Sequence, residues 1–160
     1  MTAEEYNECV HLYSDGLYRF MLKSTRQAED ARDLVQSSFE KLWQHRGSVE
    51  KHGSKSYLFT IAYHKMIDLT RKNRFVEFRE TVPDQFAVVP NTTRVRETLE
   101  KALNRLSEKQ RSLIMLKDYE GYSYEEIAGI TGLNTGQIKV TLHRARLQLK
   151  EWLVSVENVL

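Results

Sequence analysis

The side chains in this sequence that are equipped to do chemistry are cations and aromatic rings, and they gather in two places. In the second half, Lys139, His143, Arg144, Arg146 and Lys150 follow one another at helical spacing, with no acid between Thr135 and Lys150. Lysines and arginines so arranged can neutralise phosphates, and each adds to the salt dependence of binding. In the first half, Tyr57, Phe59, Tyr63 and His64 stand beside Lys65, Arg71, Lys72 and Arg74. Rings next to cations suit an unpaired nucleic-acid strand: bases stack on the rings, for roughly 1–3 kcal/mol each, while cations follow the backbone. Each cluster also has a plainer reading. The first is equally a solvated basic face, and the second a set of core aromatics. Positions 58, 61, 62 and 65 share one helix face, which leaves Phe59, Tyr63 and His64 to point elsewhere.

Nothing of similar quality points to catalysis. His11, His45, His52, His64 and His143 are scattered, and the single cysteine, Cys9, allows neither an intrachain disulfide nor a cysteine-based zinc site. The glycines read as turns and caps rather than a phosphate loop, and no serine or cysteine pairs with a base in a known pattern. The expectation is a protein that is not an enzyme and needs no cofactor or metal. Lys and Arg number 24 against 22 Asp and Glu, a net charge of +2, so nucleic-acid affinity has to come from local patches. No apolar run approaches the roughly 20 residues that span a bilayer, and Met1-Thr2-Ala3-Glu4-Glu5 lacks a signal-peptide core. A soluble, cytoplasmic chain with no stable membrane insertion is expected, and the lone thiol agrees with a reducing compartment.

The elements that must position these clusters are helical. Tyr6, Val10, Tyr13, Leu17, Phe20 and Met21 recur at three and four over residues 4–24. Ala31, Leu34, Val35, Phe39, Leu42 and Trp43 do so over 28–45, and Leu58, Ile61, Ala62, Lys65, Ile67 and Leu69 over 54–74. A Gly- and Ser-rich loop, 47–54, separates the last two. Both prolines, Pro83 and Pro90, fall in a stretch without lasting helical period. We therefore expect two small domains, 1–75 and 93–160, joined by a linker at 76–92. Phe78, Val82, Phe86, Val88 and Val89 in that linker either dock on a partner or cover a domain edge. Val95, Leu99, Leu103 and Leu106 make the next stripe. No period-2 strand appears, so the fold class expected is all-α.

The second half carries the most informative pattern. Ser107-Glu108-Lys109-Gln110 and Ser123-Tyr124-Glu125-Glu126 are capping boxes, each opening a helix, and Asn134 is a plausible cap for the last one. Gly132 suits a tight turn. A short capped helix, a turn with glycine and a longer basic helix make a helix-turn-helix, held by Ile127, Ala128, Leu133, Ile138 and Leu142. The N-terminal part of the second helix would then face base edges, which nominates Gln137, Lys139, Val140, Thr141, His143 and Arg144 for duplex DNA. Gln137 is chemically suited to adenine and Lys139 to guanine. In the first half, the helix over 28–45 holds Asp30, Asp33, Gln36, Glu40 and Lys41 on its polar side, either for solvent or for a partner.

Taken together, these segments resemble an extracytoplasmic-function sigma factor of the sigma-70 family. Asp30 to Trp43 and Ser56 to Lys72 resemble family region 2, and Leu106 to Arg111 with Tyr124 to Arg146 resemble region 4, in family order. The resemblance implies a region 2 helical bundle and a region 4 helix-turn-helix. It implies that Asp33, Gln36, Phe39 and Trp43 bind core RNA polymerase at the β′ clamp helices, and that region 4 touches the β flap. Tyr57, Phe59, Tyr63, His64, Lys65, Arg71 and Lys72 would melt and read the promoter −10 element, with the loop from Gly47 to Ser56 helping to hold a flipped base. The helix-turn-helix residues would read the −35 element, and an anti-sigma factor would be a further partner. Two positions depart from the family pattern: His64 stands where asparagine is frequent, and Thr141 where arginine is. The competing reading is a free-standing helix-turn-helix regulator that binds duplex DNA as a dimer.

Overall fold

A computed structural model describes residues 1–76 and 94–159. Helix α1 spans Ala3–Thr25, α2 Ala28–Gln44 and α3 Ser54–Val76; α4 spans Arg94–Arg105, α5 Glu108–Ile114, α6 Tyr124–Thr131 and α7 Thr135–Val159. A single 3-10 turn precedes α3, and a π-helical turn, Met115–Tyr119, follows α5. There is no strand among the described residues. The expected linker residues from 77 to 92, with Phe78, Val82, Phe86, Val88, Val89 and both prolines, lie outside the described residues, as does the first residue of the expected second domain.

Local chemistry explains where the helices begin. Thr2, Ser107 and Ser123 each accept the backbone N–H three residues on, while Glu5, Gln110 and Glu126 return the bond to the capping residue's own N–H. Asn134 and Gln137 form the same reciprocal pair at the start of α7, at 2.8 and 3.1 Å. Gly132 ends α6 at φ 79°, a left-handed conformation that lets the chain turn sharply into α7. Arg26 ends α1 in the same region, at φ 63°, where a side chain is strained by about 1 kcal/mol.

The first three helices pack around Leu17, Phe20, Met21, Ala31, Leu34, Phe39, Leu42, Leu58, Ala62 and Met66. The last four pack around Leu103, Leu113, Ile114, Leu116, Ile127, Ile130, Ile138, Leu142 and Ala145. These are not separate cores. Phe59 is 5.3 Å from the Phe20 ring in its own half and 5.6 Å from Tyr122 in the other. The halves meet where α1 lies on α5 and the π turn, and where α3 lies on α6.

That junction corrects two expectations. The buried face of α3 carries Leu58, Phe59, Ala62, Tyr63 and Met66, while Ile61 and Lys65 are only half-buried. The arc is wider than one amphipathic stripe because neighbours cover α3 from two sides. Val95, expected to share a stripe with Leu99, Leu103 and Leu106, is 78% exposed near the start of α4.

Candidate nucleic-acid interface

Helix α7 buries Ile138, Leu142 and Ala145 against the rest of the second half. Their spacing leaves the opposite face to solvent, and Gln137, Lys139, Val140, His143 and Arg144 are all exposed there, with Thr141 half-buried at the margin. Val140 is half exposed, an apolar tip suited to a thymine methyl. The capping pair limits one expected role: the Gln137 carbonyl oxygen is engaged by the Asn134 N–H. Arg146 Nη2 and Nε donate to the two Asp118 carboxylate oxygens at 2.7 and 3.3 Å. That ion pair raises the Arg146 guanidinium above its ordinary value.

Helix α3 is arranged differently. His64, Arg71 and Lys72 are exposed, and Tyr57 and Lys65 half-buried. Phe59 and Tyr63, expected to present rings to bases, are only 1% and 5% exposed. Phe59 is covered by Phe20 on one side and Tyr122 on the other. Burial, with Glu108 nearby, raises the Tyr63 hydroxyl above the usual tyrosine range. Lys55 extends its ammonium over the Tyr122 ring at 5.0 Å. In this arrangement neither Phe59 nor Tyr63 has a free ring face to offer a strand.

The contacts that hold the halves together converge on Arg111, which sequence patterning did not single out. Its side chain is 7% exposed. Nε donates to the Lys23 carbonyl at 2.9 Å, Nη2 to the Ser24 carbonyl at 2.9 Å, and Nη1 to the Leu106 carbonyl at 2.7 Å. Lys23 and Ser24 lie in the last turn of α1, whose carbonyls lack helical partners and carry the negative end of the helix dipole. A guanidinium from the other half supplies both the donors and the charge. Burial, with Arg26 nearby, lowers the Arg111 pKa all the same, so its proton is held less firmly than an exposed arginine's. Around it, Ser112 meets Ser24, Thr70 donates to Glu108, Lys23 pairs with Glu100 at 2.7 Å and Arg19 with Glu120 at 3.4 Å. The sequence signal was available: Arg111 sits among Ser112, Leu113 and Ile114, all buried, and a cation there needs acceptors. At the junction the Tyr122 hydroxyl is buried and has no hydrogen-bond partner among the described residues.

The third set of expected residues is on α2. Asp33, Gln36 and Trp43 are exposed along one side, with Glu40 between them. Phe39 is not part of that surface: at 7% exposure it is a core residue, and only its backbone carbonyl reaches outward, accepting from the Tyr6 hydroxyl at 3.1 Å. Trp43 is 39% exposed, lies 4.9 Å from the Tyr6 ring and carries the Arg46 guanidinium 3.8 Å from its own ring. Tyr6, Glu40, Trp43 and Gln44 line a shallow groove of about 370 Å³ on this side. Among the described residues no group of acids, histidines and cysteine is placed to hold a metal, and no helix is long and apolar enough to cross a membrane.

Comparisons with known proteins agree with this geometry. Residues 9–76 match the family model "Sigma-70 region 2", and residues 96–149 match "Sigma-70, region 4". The chain is 33% identical to RNA polymerase sigma factor YlaC of Bacillus subtilis over 87% of its length and 86% of that protein's. It is 30% identical to ECF RNA polymerase sigma factor SigL of Mycobacterium tuberculosis, covering 84% of this chain and 83% of the relative. Among solved structures, the sigma factor RpoE of Bartonella quintana, crystallised with the anti-sigma factor NepR, superposes with a TM-score of 0.79 at 32% identity, covering 94% of this chain and 98% of that one. Two family regions in the expected order, on a whole-chain match of fold and sequence, leave the dimeric free-standing regulator without support. The chain belongs to the sigma-70 family of RNA polymerase sigma factors, in its extracytoplasmic-function group.

Proposed function

We propose that this sigma factor divides promoter recognition between two surfaces and holds one of them covered until the halves part. It directs promoter-specific transcription initiation. The exposed face of α7, with Val140, Thr141, His143 and Arg144, reads the −35 element as intact duplex. Helix α3, with Tyr57, Phe59, Tyr63, His64, Lys65, Arg71 and Lys72, engages the −10 strand after it comes apart. Asp33, Gln36 and Trp43 on α2 bind core RNA polymerase at the β′ clamp helices, with Phe39 supporting that helix from below, and the second half reaches the β flap. The observation that carries the division is the burial of Phe59 against Tyr122 of the second half, with Tyr63 buried beside it, while the α7 face stays open. Rings stack on bases only when a face is free, so −10 engagement requires separation at the Arg111 junction.

The domains proposed are 1–75 and 93–160, and the work is done by binding rather than catalysis, in the cytoplasm where the polymerase acts. An anti-sigma factor is the expected inhibitory partner, as NepR is crystallised with the RpoE relative. Reconstituted runoff transcription tests the reading. Core RNA polymerase with the wild-type chain initiates at a defined start site on a selected promoter. Trp43→Ala weakens association with core polymerase by about 2 kcal/mol with the circular dichroism unchanged, as an exposed aromatic anchor predicts. Failure to initiate with bacterial core enzyme, together with tight operator binding by the chain alone, overturns it.

A further inference from the structure

Three cations from two elements surround one ring beside the recognition helix. Lys117, on the π turn, places its ammonium 4.6 Å from the centre of the Tyr124 ring and also donates to the Tyr122 carbonyl at 3.2 Å. Lys139, on α7, places its ammonium 5.2 Å from the same ring. Arg146, two turns further along α7, is forked on Asp118, which raises its pKa, and the nearby Tyr124 side chain raises it further. A phenol ring attracts cations through its π face, for about 0.5–1 kcal/mol each at exposed sites. The carboxylates coupled to these cations are Asp118, paired with Arg146, and Glu126, whose pKa Lys117 helps to lower, so three cations against two acids leave a surplus positive charge at the surface.

The placement on α7 matters as much as the charge. Successive residues turn by roughly 100°, so Lys139 and Arg146, seven apart, share one flank. Opposite the buried line of Ile138, Leu142 and Ala145 stand Val140 and His143; Lys139 and Arg146 are turned roughly 90° from that direction, toward α6. When a helix sits in a major groove, its mid-face meets base edges and its flanks meet the sugar-phosphate walls. Lys117 is not on the recognition helix at all, yet it joins the same group.

We infer that Tyr124 is a positioning residue that gathers Lys117, Lys139 and Arg146 into one row against the phosphates of a single DNA strand, so that Lys139 fixes register and does not read a base. The inference rests on α7 being the duplex-recognition helix. It revises the sequence expectation for Lys139, whose side-chain type suits guanine but whose position suits a phosphate.

The test uses the chain on core RNA polymerase, with a promoter duplex selected in vitro and its single-base variants at every −35 position. Lys139→Ala weakens binding roughly three- to tenfold on all variants alike and lowers the slope of log K against log salt by about 1. Tyr124→Leu does the same, and adds little when Lys139 is already alanine. Tyr124→Phe, which keeps the ring, retains most of the affinity and slope, and separates positioning from folding. The inference is overturned if Lys139→Ala abolishes preference at one base pair while the salt slope stays, or if Tyr124→Leu leaves affinity and slope unchanged in a folded protein. If instead no substitution on α7, His143→Ala and Arg144→Ala included, alters duplex binding, the recognition-helix reading itself fails.

Discussion

Helices α3 and α7 have much the same sequence character, and the fold treats them oppositely. Both are long, basic and studded with residues suited to nucleic acid. Helix α7 rests on one narrow line, Ile138, Leu142 and Ala145, and leaves its cations in water. Helix α3 is enclosed from two sides, with Phe59 between Phe20 and Tyr122. A duplex offers its grooves without prior distortion, so a surface that reads it can be left assembled and open. A separated strand exists only after melting, and rings meant for it are apolar surface that is unfavourable in water until then. Covering them against the second half lowers that cost and couples their exposure to a change in the arrangement of the halves.

The contrast can be broken first at the rings. Phe59→Ala removes a side chain buried from both sides and should destabilise the protein by about 3–5 kcal/mol, whereas Val140→Ala, on the open face of α7, should stay within about 0.5 kcal/mol. Thermal unfolding of the two variants decides it; equal effects would mean that α3 is not enclosed in solution. Next comes the junction. Arg111→Ala leaves the Lys23, Ser24 and Leu106 carbonyls without their buried donor, at a cost on the order of 3 kcal/mol. Calorimetry should then resolve two transitions, one per half, in place of one. A smaller change of opposite sign is expected at Tyr122. Its hydroxyl is buried without a partner among the described residues, so Tyr122→Phe should stabilise the closed arrangement by about 1–2 kcal/mol and slow engagement of a −10 strand. The smallest effect belongs to the α7 cap: Asn134→Ala should cost about 0.5–1 kcal/mol by circular dichroism and lower duplex affinity only slightly.

How much of this was legible in the sequence follows the same divide. The α7 surface was readable because its determinants are local: the Ser123 and Asn134 caps, Gly132 in the turn and the three-four spacing of Ile138 and Leu142 act within a few residues. All three first-half helices were legible for that reason too. The enclosure of Phe59 was not, because the covering residue Tyr122 lies more than fifty positions away and periodicity does not say which elements meet. The burial of Phe39 was not legible either: it shares a helix face with Trp43, four residues on, and only the packing of the bundle separates the 7% exposed ring from the 39% exposed one. Arg111 was missed because a capping box explained its segment well enough, and its acceptors are backbone carbonyls, which no side-chain pattern announces.

The central claim is that the proposed −10 rings Phe59 and Tyr63 are covered in the free chain and the proposed −35 surface is not. The most direct measurement is fluorescence anisotropy with a labelled single strand carrying the selected −10 sequence, for the free chain, the chain on core RNA polymerase, and free Arg111→Ala. The account predicts strand binding at least about tenfold weaker for the free wild-type chain than for the polymerase-bound one, a difference of about 1.4 kcal/mol, with much of it recovered by Arg111→Ala. Equal strand affinity for the free and polymerase-bound wild-type chain would contradict it.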